Sequence, residues 1–172
     1  MNNSSDNRDI CSKQCGSKCC RSTPPALTKN DIERITTFTN SNKWYEMLEF
    51  NQRKTPVILK QKDKEKCLFL TDEGLCSIYT RRPLDCMFFP LFIQIEQKSE
   101  IEYNIRWLVW YCLLTEKIGM EALKKEAMRI LITKLFEDPN EIFEYQEAMY
   151  TSRSYKQKHF FVEERLKIQK EE

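Results

Sequence analysis

The sequence predicts an α+β fold: a small cysteine-cluster domain of short strands, a hairpin and helices, followed by a C-terminal helical segment. Three observations predict it. Short apolar runs with strand character occupy 55–61, 67–70 and 91–110. Apolar residues recur at helical spacing over 29–39 and 119–136. All eight cysteines lie between Cys11 and Cys112. The chain therefore divides into a disordered tail over 1–10, a cysteine-cluster domain over 11–114 and a helical extension over 115–172.

The elements follow in order. A helix through 11–19 would place Cys11, Cys15 and Cys19 on one face, with Cys20 turned about 100° away. Thr28 and Asp31 form a capping-box pattern, and Ile32, Ile35 and Phe38 continue at helical spacing, predicting a helix over 29–39 with that face in the core. A second short helix is expected over 43–50, around Trp44, Met47 and Leu48. "TPVILKQ" and "CLFL" read as strands, and "TDEGLC" as a turn in which Gly74 supplies the permissive backbone. Pro83 and Pro90 bound a short helical turn that stops at Phe89. Alternation over 91–95, the polar turn "QKSE" and a return strand over 101–110 predict a hairpin, which delivers Cys112 back to the other cysteines. A helix over 119–136 comes next, then Asp138 before Pro139 as the N-cap of a helix reaching about Tyr150. Residues 151–172 are expected as a terminal helix or a frayed tail.

What is scarce excludes several chemistries. With only Gly16, Gly74 and Gly119, the chain cannot write a P-loop or a G-x-G-x-x-G turn. Its single histidine, His159, lies in a polar, charged stretch and reads as a solvated residue, so histidine-based catalysis and mixed Cys/His fingers are not predicted. The first residues, "MNNSSDNRDI", carry no apolar run of signal-peptide length, and "WLVWYCLL" at 107–114 is far short of the roughly 20 residues of a membrane span. The expectation is a cytoplasmic protein with reduced thiols and no membrane association. At a net charge of +2, the basic run "KQKDKEK" reads as a solvated loop, and no nucleic-acid motif is present. A protein partner is compatible with this surface.

A chain of 172 residues, 41% hydrophobic, buries an ordinary core without disulfide staples. The cysteines need another purpose. Their spacing contains no C-x-x-C, which removes the common zinc ribbon and the thioredoxin-type motif, and it misses the C-x3-C-x2-C of radical S-adenosylmethionine enzymes. Soft thiolate donors suit zinc and iron. Cys11, Cys15, Cys19, Cys20, Cys67, Cys76, Cys86 and Cys112 are accordingly candidate metal ligands, for zinc or for an iron–sulfur cluster. Adjacent cysteines rarely serve one tetrahedral ion without strain, so Cys20 suggests a second ligand sphere or a second metal. Arg21, Arg81 and Arg82 are candidates to balance thiolate charge. Phe88, Phe89, Phe92, Trp107, Trp110 and Tyr111 are expected to shield the cluster from water. A redox or metal-handling protein exchanging metal or electrons at Cys19–Cys20 is the thiol-based alternative.

"CGSKCCR" at 15–21, "LTKNDIERI" at 27–35 and "CLFLTDEGLCSIYTRRPLDCMFFP" at 67–90, with a later Trp and Cys, resemble the YkgJ-like cysteine-cluster family, a zinc- or iron-chelating domain by description. The resemblance implies ligands at Cys15, Cys19, Cys20, Cys67, Cys76 and Cys86, with Cys11 at a variable leading position and Cys112 as the trailing cysteine. Met87 departs from the arginine usual after the Cys86 position, while Arg82 and Pro83 are kept. Some larger proteins with a similar cysteine block are described as flagellin lysine N-methylases that use S-adenosylmethionine and carry an iron–sulfur cluster, so the resemblance implies, as a further alternative, a reduced relative of such an enzyme. Catalysis itself is not predicted, because the chain is short and shows no cofactor signature beyond its cysteines.

Overall fold

The computed structural model describes residues 7–22, 24–50, 52–61, 66–152 and 159–168. Helices and two small antiparallel sheets make an α+β fold. The stretch expected as a tail falls partly outside the described residues; Asn7–Asp9 are helical and Ile10 is buried.

Helix α1 (Lys29–Thr39) begins as its sequence predicts. The Thr28 hydroxyl accepts from the Asp31 N–H, and the Asp31 carboxylate accepts from the Thr28 N–H, both at 3.1 Å. The helix ends at Asn40, in the left-handed region at φ 48°. Ile35 is buried and Ile32 packs beside it, but Phe38 is exposed, so the apolar face is narrower than its periodicity suggests.

Residues 45–50 form strand β1 (Tyr45–Phe50), not the helix expected over 43–50. It pairs with β2 (Arg53–Ile58) from Tyr45↔Ile58 to Phe50↔Arg53. Strand propensity is decided largely by what a segment packs against, and here the β-branched face of β2 and the burial of Trp44 select the extended form. "CLFL" is not a strand either; isolated bridges Lys60↔Cys67 and Leu70↔Cys76 replace it. The turn at 71–76 forms as expected: Gly74 stands at φ 77° and donates its N–H to the Thr71 carbonyl at 3.1 Å.

Short helix α2 (Leu84–Phe88) stops at Phe89, as the flanking prolines require. The hairpin follows as β3 (Leu91–Gln97) and β4 (Glu102–Val109), in register from Leu91↔Val109 to Gln97↔Tyr103. Helix α3 (Leu113–Ile118), which periodicity did not separate, is divided from α4 (Met120–Glu137) by Gly119 at φ 85°. Helix α5 (Pro139–Ser152) starts after Asp138, whose carboxylate accepts from the Asn140 N–H at 3.1 Å.

The terminal stretch corrects the expectation of a helix or frayed tail. Strand β5 (His159–Lys167) pairs antiparallel with β4, giving the sheet order β3-β4-β5. Val162, Leu166 and Ile168 alternate toward the core, with Glu164 in the same row. Glu164 accepts from Trp107 Nε1 at 2.7 Å and from Lys124 Nζ at 3.3 Å. That carboxylate hides the period of two from a purely apolar pattern. His159 is exposed, as expected, although it lies in a strand.

The larger core joins β3, β4 and helices α4 and α5 around Trp107, Phe92, Ile105, Leu131 and Ile142. A smaller core holds Leu27, Ile35, Trp44, Ile58 and Ile78. Polar contacts lash the start of α1 to the α4–α5 turn: Thr28 Oγ1 donates to Glu141 Oε1 at 3.3 Å, and Asn30 Nδ2 donates to Asp138 Oδ2 at 3.0 Å. Among the described residues, no helix is long and apolar enough to cross a membrane.

Candidate metal centre

The first cysteines do not share one helical stripe. Cys11 lies in a single π-helical turn, Ile10–Gln14, which Cys15 closes by donating its N–H to the Ile10 carbonyl at 2.9 Å. Gly16 at φ 66° and Ser17 at φ 54° then reverse the chain through the left-handed region, which no continuous helix tolerates. Cys19 and Cys20 follow on a separate 3₁₀ turn, Lys18–Arg21.

Distant segments are tied to this loop through backbone. Ser17 is buried; its N–H donates to the Cys11 carbonyl at 2.8 Å, and its hydroxyl donates to the Gly74 carbonyl at 2.7 Å. The Cys67 N–H donates to the Cys20 carbonyl at 2.7 Å. Cys86 rides on α2, whose first N–H, from Leu84, donates to Asp31 Oδ1 at 3.0 Å and so locates that helix against α1. Cys112 is the N-cap of α3, and α3 packs on the 10–14 turn.

All eight cysteines are free and half-buried. Burial is the main force holding most of these thiols protonated. It pushes Cys11 up to about 12, with the thiols of Cys19, Cys15 and Cys112 adding to the effect and Arg82 opposing it. It pushes Cys67 up to about 11, reinforced by Cys76 and Cys19. Cys86 is raised well above its ordinary value by burial, then by Asp85, Cys67, Cys19 and Cys76. Cys20 is raised first by its hydrogen bond with Cys19, then by burial and by the charges of Cys19, Cys86 and Cys67. Sulfurs from both halves of the sequence thus lie within electrostatic reach of one another.

Backbone N–H groups work in the opposite sense, favouring thiolate. Those of Phe69 and Leu70 reach Cys67, that of Ile78 reaches Cys76, and those of Thr115 and Leu114 reach Cys112. Each comes from two or three residues after its cysteine, an arrangement that supports ligating sulfur. Among the described residues, no three Cys, His, Asp or Glu side chains already stand together as a group able to hold an ion.

The family model called CxxCxxCC, "Putative zinc- or iron-chelating domain", matches residues 10–113, a span that contains every cysteine. The chain belongs to this family. It is the YkgJ-like family that the motifs resemble. No curated protein and no solved structure matches the chain.

In this CxxCxxCC chain the expected arginines separate into different roles. Arg82 lies over the Tyr79 ring, 4.0 Å from its centroid, and lowers both Cys11 and Cys76. Arg21 instead donates through Nε to the Gly16 carbonyl at 3.2 Å, bracing the reversal, and Arg81 is exposed. Arg8, which the sequence did not single out, flanks the same tyrosine at 5.2 Å and also lowers Cys76. Its position before the first cysteine was the only available signal. The aromatics divide as well: Phe88, Phe92 and Trp107 are buried in the larger core, whereas Trp110 and Tyr111 are exposed and cover little.

Proposed function

We propose that this protein binds zinc or an iron–sulfur cluster through its cysteines, and that the bound metal fixes the fold of the cysteine-bearing segment. The ligand pool is Cys11, Cys15, Cys19, Cys20, Cys67, Cys76, Cys86 and Cys112. The observation that carries this reading is the set of backbone N–H groups aimed at Cys67, Cys76 and Cys112. A buried protonated thiol gains little from such donors, while a metal-bound thiolate gains charge-assisted hydrogen bonds. A bound cation supplies the positive charge that keeps these sulfurs ionised and draws them together. Reduced thiols fit a cytoplasmic setting.

Anaerobic purification of the full chain, followed by elemental analysis and a visible spectrum, tests the proposal. Iron with acid-labile sulfide and a broad visible band identifies a cluster, and zinc in a colourless protein identifies an ion site. Absence of both metals ends the proposal. The partial exposure of all eight cysteines favours one second reading, a metal-handling protein that passes its ion on. Transfer of bound zinc to a chelator within seconds would support it, and retention over hours would remove it.

A further inference from the structure

The two edges of the three-stranded sheet are finished differently. On β3 the N–H of Ile95 donates to Oε1 of Gln146 on α5, so a side chain from a packed helix closes that edge. On β5, among the described residues, no backbone or side-chain group hydrogen-bonds to the outer edge. Its inward row is also incompletely covered: Val162, Glu164 and Leu166 are half-buried, whereas Ile93, Ile95, Ile105 and Trp107 on β3 and β4 are buried. A nine-residue strand of this kind is a template for pairing with another chain.

The phase of the ladder shows which backbone groups are open. The Ile168 N–H donates to the Ile101 carbonyl at 2.8 Å, and the register continues from Lys167↔Glu102 to Val162↔Trp107. In an antiparallel ladder alternate residues turn both backbone groups to the same neighbour. Residues 162, 164 and 166 therefore bond to β4, and Glu163, Arg165 and Lys167 turn theirs to the open edge. Side chains decide what fits there. With two copies related by a two-fold axis through Glu164, Glu163 of each copy faces Arg165 of the other and exchanges both N–H···O bonds with it, while Val162 faces Leu166. Opposite charges then pair on the exposed face and apolar side chains on the inner face. Moving the axis to Glu163 sets that carboxylate against its own copy and Val162 against Glu164; moving it to Arg165 sets two guanidinium groups together. The Glu164 carboxylates that meet on the favoured axis are each already held by Trp107 Nε1 and Lys124 Nζ.

We infer that the chain forms a symmetric dimer by pairing β5 with β5 of a second copy, with Glu164 on the two-fold axis, so that two three-stranded sheets become one. Such a contact is isologous and closes on itself, which limits assembly to two copies. β5 lies outside residues 10–113, so this surface is an addition to the family domain.

Sedimentation velocity of the full chain, anaerobic and with reductant so that no disulfide joins copies, tests the pairing from about 1 to about 100 μM. One strand pair is a small interface, so a reversible dimer with a micromolar Kd is expected. Arg165→Glu and Glu163→Arg each set like charges opposite one another in the dimer, and each should raise Kd at least about tenfold (1.4 kcal/mol). Mixing the two variants restores opposite charges at both positions and should restore association. Arg165→Pro deletes an N–H that points to the open edge and spares the ladder to β4, so it should weaken the dimer as well. Far-UV circular dichroism checks that each variant is folded. A monomer of the unsubstituted chain at the highest concentration overturns the inference, whatever the variants do. A dimer undisturbed by folded Arg165→Pro and Arg165→Glu proteins overturns it too, and failure of the mixed variants to associate overturns the Glu164-centred register.

Discussion

The two cores organise their surroundings differently. Around the larger one, a three-stranded sheet and two long helices bury Trp107, Phe92, Ile105, Leu131 and Ile142 almost completely. Around the smaller one, five apolar side chains gather one helix, a two-stranded hairpin and a series of turns. Seven of the eight cysteines, all but Cys112, come from the part of the chain preceding the larger sheet. Where ladders and buried side chains are sparse, loops lack the cooperative burial that offsets ordering entropy. Thiolate–metal bonds are a means of joining such loops.

Metal removal should separate the two regions most strongly. Chelation under reducing conditions is expected to cost the cysteine-bearing segment on the order of 10 kcal/mol. Hydrogen exchange should then accelerate over 11–22 and 66–90 while β3–β4 stays protected; equal loss in both would show that they fold as one unit. The opposite lesion is Trp107→Ala, which deletes the largest fully buried side chain. It should lower stability by about 3–5 kcal/mol, read as a urea midpoint, with metal stoichiometry unchanged in the folded protein.

Proton linkage comes next in size. Burial pushes the metal-free thiols of Cys11 and Cys67 up to about 12 and about 11, so they are protonated at neutral pH and metal must displace those protons. Affinity should therefore fall as pH is lowered, by about tenfold per pH unit for each proton displaced. Calorimetry in buffers of different ionisation enthalpy counts the protons. The metal-free protein has the opposite dependence: Cys67 is raised from 9.0 to about 11, so its folded form holds a proton the unfolded chain has lost. Stability should decrease as pH rises through that window.

Smaller effects probe the link between the regions. Thr28→Ala removes a helix cap and a donor to Glu141, and should cost about 1 kcal/mol, seen as a lower urea midpoint. Asp31, raised from 3.8 to about 6 chiefly by burial, should show a carboxyl NMR titration near that value. Its contribution to stability is greatest below its unfolded value and declines as pH rises toward 6. A midpoint near 4 would mean that the α1–α2 junction is wetter than its packing indicates.

Much of the architecture was legible because its signals are local. The Thr28–Asp31 cap, the turn at Gly74, the stop at Phe89, the hairpin beginning at Leu91 and the Asp138 cap each depend on a few neighbouring residues. The misread stretches depend on a remote partner. Residues 45–50 extend because β2 is there to pair with them, and β5 forms because β4 has an open edge. Glu164 occupies an inward position only because Trp107 and Lys124 meet it. In the candidate site, donor type was visible in the cysteines themselves. Arg8 was not, since nothing near it in the chain reveals Tyr79.

Taken alone, the amino-acid order determined the ligand chemistry and the places where the backbone must cap, turn or stop, because those properties belong to residue types and short spacings. Tertiary structure decided which thiols are neighbours, which arginine faces them and which edge receives the last strand. These outcomes depend on how two separate cores bring remote segments into contact, and no local period encodes that meeting.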